Sequence, residues 1–209
     1  MASLPFPQAL TEKHRPRAFA EFVGLDKPKA ILSKLASAPF PSAWLFVGPS
    51  GTGKTTMALA LADMMPAELH HVPSQECNVG NLENVIRMCW YVPTTGKRVH
   101  LVLVDEADQM TPAAQLALLS KLDSTAFPPA TIFVFTCNST ERLQERFLSR
   151  CRVIEFTGPN GELAPYLAHI WELEAPRSIP DSDTLAKLAA SGNVRDALMR
   201  LELELMAIY

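Results

Sequence analysis

Gly48-Pro49-Ser50-Gly51-Thr52-Gly53-Lys54-Thr55-Thr56 decides the reading of this chain. The apolar run 43–47 precedes it, and Met57-Ala58-Leu59-Ala60-Leu61-Ala62 follows. The first run predicts a buried strand and the second a helix of strong formers. Between them stands the spacing G-x-x-x-x-G-K-[ST] of a phosphate-binding loop. Its glycines let the backbone curl with N–H groups turned inward on phosphate oxygens, and the helix start adds its partial positive end. Lys54 supplies a point charge for the outer phosphates, and the Thr55 hydroxyl suits Mg2+. A Gly-rich structural turn would explain neither the Lys-Thr pair nor the strand–turn–helix setting. All nine residues are therefore candidate contacts for a nucleoside triphosphate.

The second half of such a site stands about fifty residues downstream. Residues 99–104 read as an apolar strand running straight into Asp105-Glu106-Ala107-Asp108. Asp105 can hold Mg2+ through water, and Glu106 can orient or deprotonate an attacking water. Two acids capping the next helix are the plainer alternative. The letters Asp-Glu-Ala-Asp also occur in a helicase family, but a chain of 209 residues has no room for a second motor domain. Residues 130–136 predict another buried strand, and Asn138 follows at its carboxyl end, where open α/β sheets place ligand contacts. An Asn there also serves as a turn residue or helix cap.

The totals bound the class. The length allows one medium domain, or one large and one small. Apolar content of 48% is ordinary for a globular core, as is a mean hydropathy of +0.07. A net charge of −3 gives no overall basic field, so any nucleic-acid contact must be a local patch. Cys77, Cys89, Cys137 and Cys151 form no C-x-x-C pair and no zinc spacing, which predicts reduced, mostly buried thiols. The start, Met1-Ala2-Ser3-Leu4-Pro5, has neither a basic nor an apolar targeting region, and no stretch nears the ~18 apolar residues of a membrane span. A soluble, cytoplasmic protein is expected, in the host cytoplasm if the source is viral.

The remaining segments supply the frame. Residues 1–11 are Pro-rich and predict an extended surface segment. Residues 27–35 have helical spacing at Ala30, Ile31, Lys34 and Leu35. Residues 68–72 predict a strand whose adjacent His70 and His71 face opposite sides, which argues against a shared metal; no third ligand stands at suitable spacing. Residues 78–91 predict an amphipathic helix with Val79, Leu82, Val85, Ile86 and Cys89 on one side, and 94–97 a turn. Residues 111–122 predict a helix capped by Thr111 with Pro112 in its first turn. A short helix at 143–148 and a fifth strand at 153–156 follow. Thr157-Gly158-Pro159-Asn160-Gly161 reads as a linker, and 162–173, 183–191 and 194–207 as three helices.

Assembled, these residues resemble an AAA+ ATPase, and among these the sliding-clamp-loader subunits: replication factor C, phage clamp loaders and the bacterial DNA polymerase III motor subunits. The resemblance spans about residues 11–207. Glu12-Lys13-His14-Arg15-Pro16 with Phe22-Val23-Gly24 is similar to the family's "E-K-Y-R-P … V-G" entry, with His14 in place of Tyr; His14, Arg15, Pro16, Phe22 and Val23 would then cover the adenine. Ser149-Arg150-Cys151 resembles the clamp-loader "S-R-C", whose Arg reaches the γ-phosphate of the neighbouring subunit, so Arg150 would act in trans. Asn138 resembles sensor 1 and Arg195 the sensor 2 arginine of the lid. Around Ser74-Gln75-Glu76-Cys77 the DNA-facing segment matches the family's "A-S-D-E-R-G" only loosely. The zinc module of the bacterial motors has no counterpart. The family's collar domain would begin where this sequence ends, at Tyr209, which leaves either a truncated chain or another route of assembly.

The resemblance implies a P-loop α/β core with a five-stranded parallel sheet and a small all-α lid. The expected division is an N-terminal extension (1–10), a nucleotide-binding domain (11–157) and a lid (158–209). It implies ATP and Mg2+ as cofactors. Lys54, Glu106, Asn138, Arg195 and a neighbour's Arg150 would be the catalytic groups, with Thr55 and Asp105 at the metal. Its partners would be other subunits of a homo- or hetero-oligomer, a sliding clamp and primer–template DNA, with no membrane. Another AAA+ DNA-remodelling ATPase, or a nucleotide-gated scaffold with little turnover, are the alternatives.

Overall fold

The computed structural model describes residues 8–73, 76–94, 96–123, 125–159 and 161–208. Five parallel strands form one sheet: β1 (Ser42–Val47), β2 (Ala67–Val72), β3 (Val99–Val104), β4 (Thr131–Cys137) and β5 (Arg152–Glu155), in the order β2-β3-β4-β1-β5. β1, β3 and β4 are apolar almost throughout because helices cover both faces, which removes the polar alternation of a half-exposed strand. The chain runs from β1 past two strands to the β2 edge, then steps back through β3 and β4. β1 therefore lies between β4 and β5, and the crevice of the sheet opens at their carboxyl ends.

Helices α2 (Asp26–Ser37) and α3 (Lys54–Met64) cover one face, with Leu32, Leu35, Met57 and Leu61 against Phe46, Leu101 and Val134. The other face carries α4 (Val79–Met88), α5 (Pro112–Lys121) and the short α6 (Glu145–Leu148), with Leu82, Leu118 and Phe147 against Val102 and Phe135. The Thr111 side chain caps α5 by accepting from the Ala114 N–H at 3.2 Å, and Pro112 stands at the first turn as expected. Helices α7 (Leu163–Glu174), α8 (Ser182–Ala189) and α9 (Val194–Ile208) gather a third apolar cluster of their own around Leu167, Ile170 and Leu201.

Several expectations need correction. The N-terminal segment is not simply extended: Leu10–Lys13 forms α1, and Leu10 is buried in the α7–α9 cluster. Its backbone N–H donates to Glu202 at 3.0 Å. A single apolar residue among prolines gave no periodic signal to mark this. On α2 the buried residues are Pro28, Leu32 and Leu35, while Ala30 and Lys34 are exposed. Ile31 and Leu35 pack inward as expected, and Pro28 and Leu32 complete the stripe in place of Ala30 and Lys34. α4 ends at Met88, leaving Trp90, Tyr91 and Val92 exposed beyond it. α6 starts two residues later than expected and α8 ends two earlier. The turn at 94–97, the linker and the 74–77 segment each include residues outside those described.

Candidate active site

The loop between β1 and α3 takes its shape from glycine. Gly51 and Gly53 have φ of 76° and 90°, in the left-handed region. At Gly48 a Cβ would meet the Phe156 carbonyl oxygen at 2.1 Å, so the loop and the end of β5 pass too closely for any side chain. α3 begins at Lys54, directing its first N–H groups at the space above the sheet.

Lys54 is buried, and its ammonium donates to the carbonyls of Gly48 (2.7 Å) and Pro49 (2.8 Å) and to Asn138 Oδ1 (3.0 Å). Burial pushes its pKa below the ordinary lysine value, against the pull of Asp105. The register Val47↔Cys137 brings Asn138 beside the loop. Thr55 Oγ1 donates to Asp105 Oδ1 at 2.7 Å, across a sequence separation of 50. Hydroxyl and carboxylate oxygens form a hard donor set of the kind Mg2+ prefers.

Thr136 belongs to no motif in the sequence, and the structure adds it to the site. Its hydroxyl donates to Asp105 Oδ1 and accepts from the Glu106 backbone N–H at 3.1 Å. One side chain on β4 thus holds the Asp105 carboxylate and the Glu106 backbone. A polar residue buried in an apolar strand two positions before Asn138 was the available signal. Glu106 itself has φ of 52°, a strained backbone for a non-glycine residue, and its side chain is exposed. On the far side, His71 Nε2 lies 3.8 Å from Asp105 Oδ2.

Lys54, Thr55, Asp105, Glu106, Asn138 and Arg195 line one polar cavity of about 290 Å3. A second cavity of about 250 Å3 adjoins it, reached past Gly51 and Gly53. His14, Arg15, Pro16, Phe22 and Val23 line this one, together with Thr52, Thr56 and Tyr166 and Leu198 from α7 and α9. Tyr166 and Leu198 had no individual signal in sequence; they reach the cavity only because α7 and α9 fold back over the loop. Arg195 borders both cavities. His14 is also tied outward: its Nε2 lies 2.6 Å from Glu174 Oε1, and Lys13 reaches the other oxygen of that carboxylate at 2.6 Å.

Asn193, read from sequence only as a helix-start signal, joins α9 to the loop. Its Nδ2 donates to the Ser50 carbonyl at 2.9 Å, while its Oδ1 accepts from the Asp196 N–H at 3.1 Å. Arg150 borders neither cavity; it donates to the Arg146 carbonyl at 2.8 Å and lies 3.6 Å from Asp123.

A parallel sheet with a glycine loop, a lysine and a Thr–Asp pair at its carboxyl edge defines a P-loop nucleotide-binding protein. Residues 44–159 match the family described as "ATPase family associated with various cellular activities (AAA)", and the chain belongs to that family. It is 35% identical over 199 residues to replication factor C small subunit 1 of Pyrobaculum arsenaticum, covering 91% of this chain and 60% of that protein. It is 28% identical over 200 residues to replication factor C subunit 4 of Oryza sativa subsp. japonica, covering 91% of this chain and 59% of the relative. The chain thus spans about three fifths of these relatives' length. Among solved structures, the Thermotoga maritima RuvB Holliday junction branch migration motor superposes with a TM-score of 0.70 at 20% identity, over 93% of this chain and 72% of that one. At that identity the likeness is one of fold. Among the described residues, no helix is long and apolar enough to cross a membrane.

Proposed function

We propose that this chain binds and hydrolyses ATP as a motor subunit of a clamp-loader complex, placing a sliding clamp on primer–template DNA in the cytoplasm. The observation that carries the ATPase reading is the convergence of Lys54, Thr55, Asp105, Glu106, Asn138 and Arg195 on one cavity. The identity to replication factor C small subunits carries the choice of complex. The proposed division is a nucleotide-binding domain over 11–157 and a lid over 158–209. The N-terminal segment 1–10 ends against the lid through Leu10.

The roles follow from the chemistry. The adjoining cavity takes the adenine between His14, Arg15, Pro16, Phe22 and Val23 on one side and the lid on the other. The loop residues Gly48 to Thr56 hold the phosphates through backbone N–H groups. Lys54 and Arg195 supply positive charge around a loose transition state that develops negative charge on the transferred group. Thr55 and Asp105 would hold Mg2+, which would supply positive charge against the phosphates when bound. Glu106 orients the attacking water and takes its proton. Asn138 is hydrogen-bonded to Lys54 and stands where it can hold the γ-phosphate or that water. Arg150, away from this chain's own cavities, would complete a neighbour's site, a contribution worth about 10³–10⁵ in rate for a trans arginine.

Steady-state ATPase rate against protein concentration tests the assembly. The rate per chain should rise with concentration and rise again with clamp and primer–template DNA. Arg150→Ala should keep nucleotide affinity and lose that rise. A rate per chain that is flat with concentration and unaltered by Arg150→Ala would remove the trans role. No response to clamp and DNA from a concentration-dependent ATPase would remove the clamp-loader reading.

A further inference from the structure

The β2–β3 edge of the sheet carries a second cluster of chemically capable groups. β2 and β3 pair in parallel with Glu68 beside His100 and His70 beside Val102, so Glu68, His70 and His100 share one face. α4 covers that face, and Cys89, the residue that ends it, turns inward. His70, Cys89 and His100 bring their ligand atoms within 4.8 Å of one another. His70 and His71 do face opposite sides, so they share nothing; His70 finds its partner on the next strand instead. The expectation that no further ligand is available is therefore corrected, since His100 and Cys89 are distant in sequence and near in space.

The imidazole of His100 is oriented from behind. Its Nε2 lies 2.9 Å from the Tyr91 carbonyl, which can only accept, so Nε2 carries the proton and Nδ1 presents a lone pair. That lone pair faces His70 Nε2 at 3.0 Å. A histidine whose second nitrogen donates to a backbone carbonyl is the arrangement that holds metal-binding imidazoles. Glu68 stands 3.7 Å from His100 Nδ1, and its carboxylate is fixed by the Thr94 N–H at 2.9 Å. Cys89 and His100 are buried, and His70 is half-buried. Burial pushes the Cys89 thiol up to about 12, so the group is a neutral thiol until a cation stands beside it.

We infer that His70, Cys89 and His100 form a three-ligand structural zinc-type site pinning the end of α4 to the β2–β3 edge, with Glu68 beside it at 3.7 Å from His100 Nδ1. Two imidazoles and a thiolate are a mixed N and S set that suits a borderline cation such as zinc, with one position left open, and not Mg2+. Tetrahedral bonds of about 2.0–2.3 Å place ligand atoms roughly 3.3–3.7 Å apart, so the two imidazoles part by a few tenths of an ångström and the thiol moves in. On binding, the Cys89 Sγ–H bond breaks, the sulfur keeps the electron pair and bonds the metal, and one proton leaves to solvent. The proton on His70 Nε2 is exchanged to its Nδ1 through solvent, which frees Nε2 to bond the metal. The inference does not rest on the ATPase reading, although His70 adjoins His71, whose Nε2 lies 3.8 Å from Asp105 Oδ2.

Cobalt(II) is the probe, titrated into the full chain with Mg–ADP present to cover the oxygen donors at Thr55 and Asp105. One equivalent should produce a thiolate-to-cobalt charge-transfer band that zinc displaces. Cys89→Ala should abolish the band and Cys77→Ala should keep it. His70→Gln, at a half-buried position and with its fold checked by circular dichroism, should weaken cobalt affinity at least ~10-fold. Zinc at equal concentration should raise the melting temperature of the unsubstituted chain more than that of His70→Gln. No band at equimolar cobalt would reduce the cluster to a hydrogen-bonded histidine pair beside a buried thiol. A band that survives both Cys89→Ala and His70→Gln would place the metal elsewhere.

Discussion

At the scale of single residues, the candidate site depends on a few hydrogen bonds that fix charged groups before any ligand arrives. Thr136 is the clearest case, because one hydroxyl holds both the Asp105 carboxylate and the Glu106 backbone. Thr136→Val keeps the shape and removes the hydroxyl to which the Glu106 N–H donates. A stability loss of about 1–3 kcal/mol is expected by urea denaturation, with a larger fall in single-turnover hydrolysis than in nucleotide affinity. Full restoration by Thr136→Ser would show that the hydroxyl and not the volume matters; equal activity of all three would discard the role. Lys54→Ala removes an ammonium poised for phosphate, and charge-assisted bonds of about 1.5–3 kcal/mol correspond to roughly 10–150-fold in affinity. Equilibrium binding of a fluorescent ATP analogue reads this directly, and an unchanged Kd would sink the phosphate assignment. Lys54, Thr55, Asp105 and Glu106 were all legible in sequence because their spacing lies within short contiguous motifs. Thr136 was not, since its partner is 31 residues away.

Among elements, the contacts that matter join pieces far apart in the chain. α1 reaches α7 through Glu174, which takes both Lys13 and His14. Burial alone would raise the Glu174 pKa, but the hydrogen bonds from Lys13 and His14 outweigh it and hold it below the usual carboxylate range. A carboxyl with a lowered folded pKa adds stability that is present above its unfolded value, about 4.5, and is lost as pH falls through the folded value. Urea melts between neutral and acidic pH should therefore show a shallower acid limb in Glu174→Gln. An identical slope in both proteins would mean that the pair contributes nothing. The same pair draws His14 to the lid, and Gly24 is drawn there too by its N–H bond to Glu162 at 2.8 Å. The entry segment is thus attached to the lid as well as to the sheet. Its motif was readable; its attachment was not, because single polar residues carry no periodicity.

For the whole molecule, the lid has an apolar cluster separate from the two that sandwich the sheet. Loosening it should therefore disturb nucleotide binding before it disturbs the sheet. Leu167→Ala, at a fully buried position, should cost about 2–5 kcal/mol locally. Hydrogen exchange should rise across α7–α9 while β1, β3 and β4 stay protected, and ATP affinity should fall because Arg195, Tyr166 and Leu198 lose their fixed places. Uniform exchange across the chain would show that lid and sheet open as one unit.

The sequence by itself determined the phosphate loop, the acidic pair, the five strands and the helical C-terminal part. Each of these is written in neighbouring residues: a fixed motif spacing, an apolar run, a cap followed by a period of 3.6. Tertiary structure alone decided the order β2-β3-β4-β1-β5, and with it which side chains meet. That order sets Asn138 beside Lys54, Thr136 beside Asp105 and His70 beside His100. Strand order depends on how crossovers pack over both faces of the sheet, a property of the folded whole that no local spacing encodes.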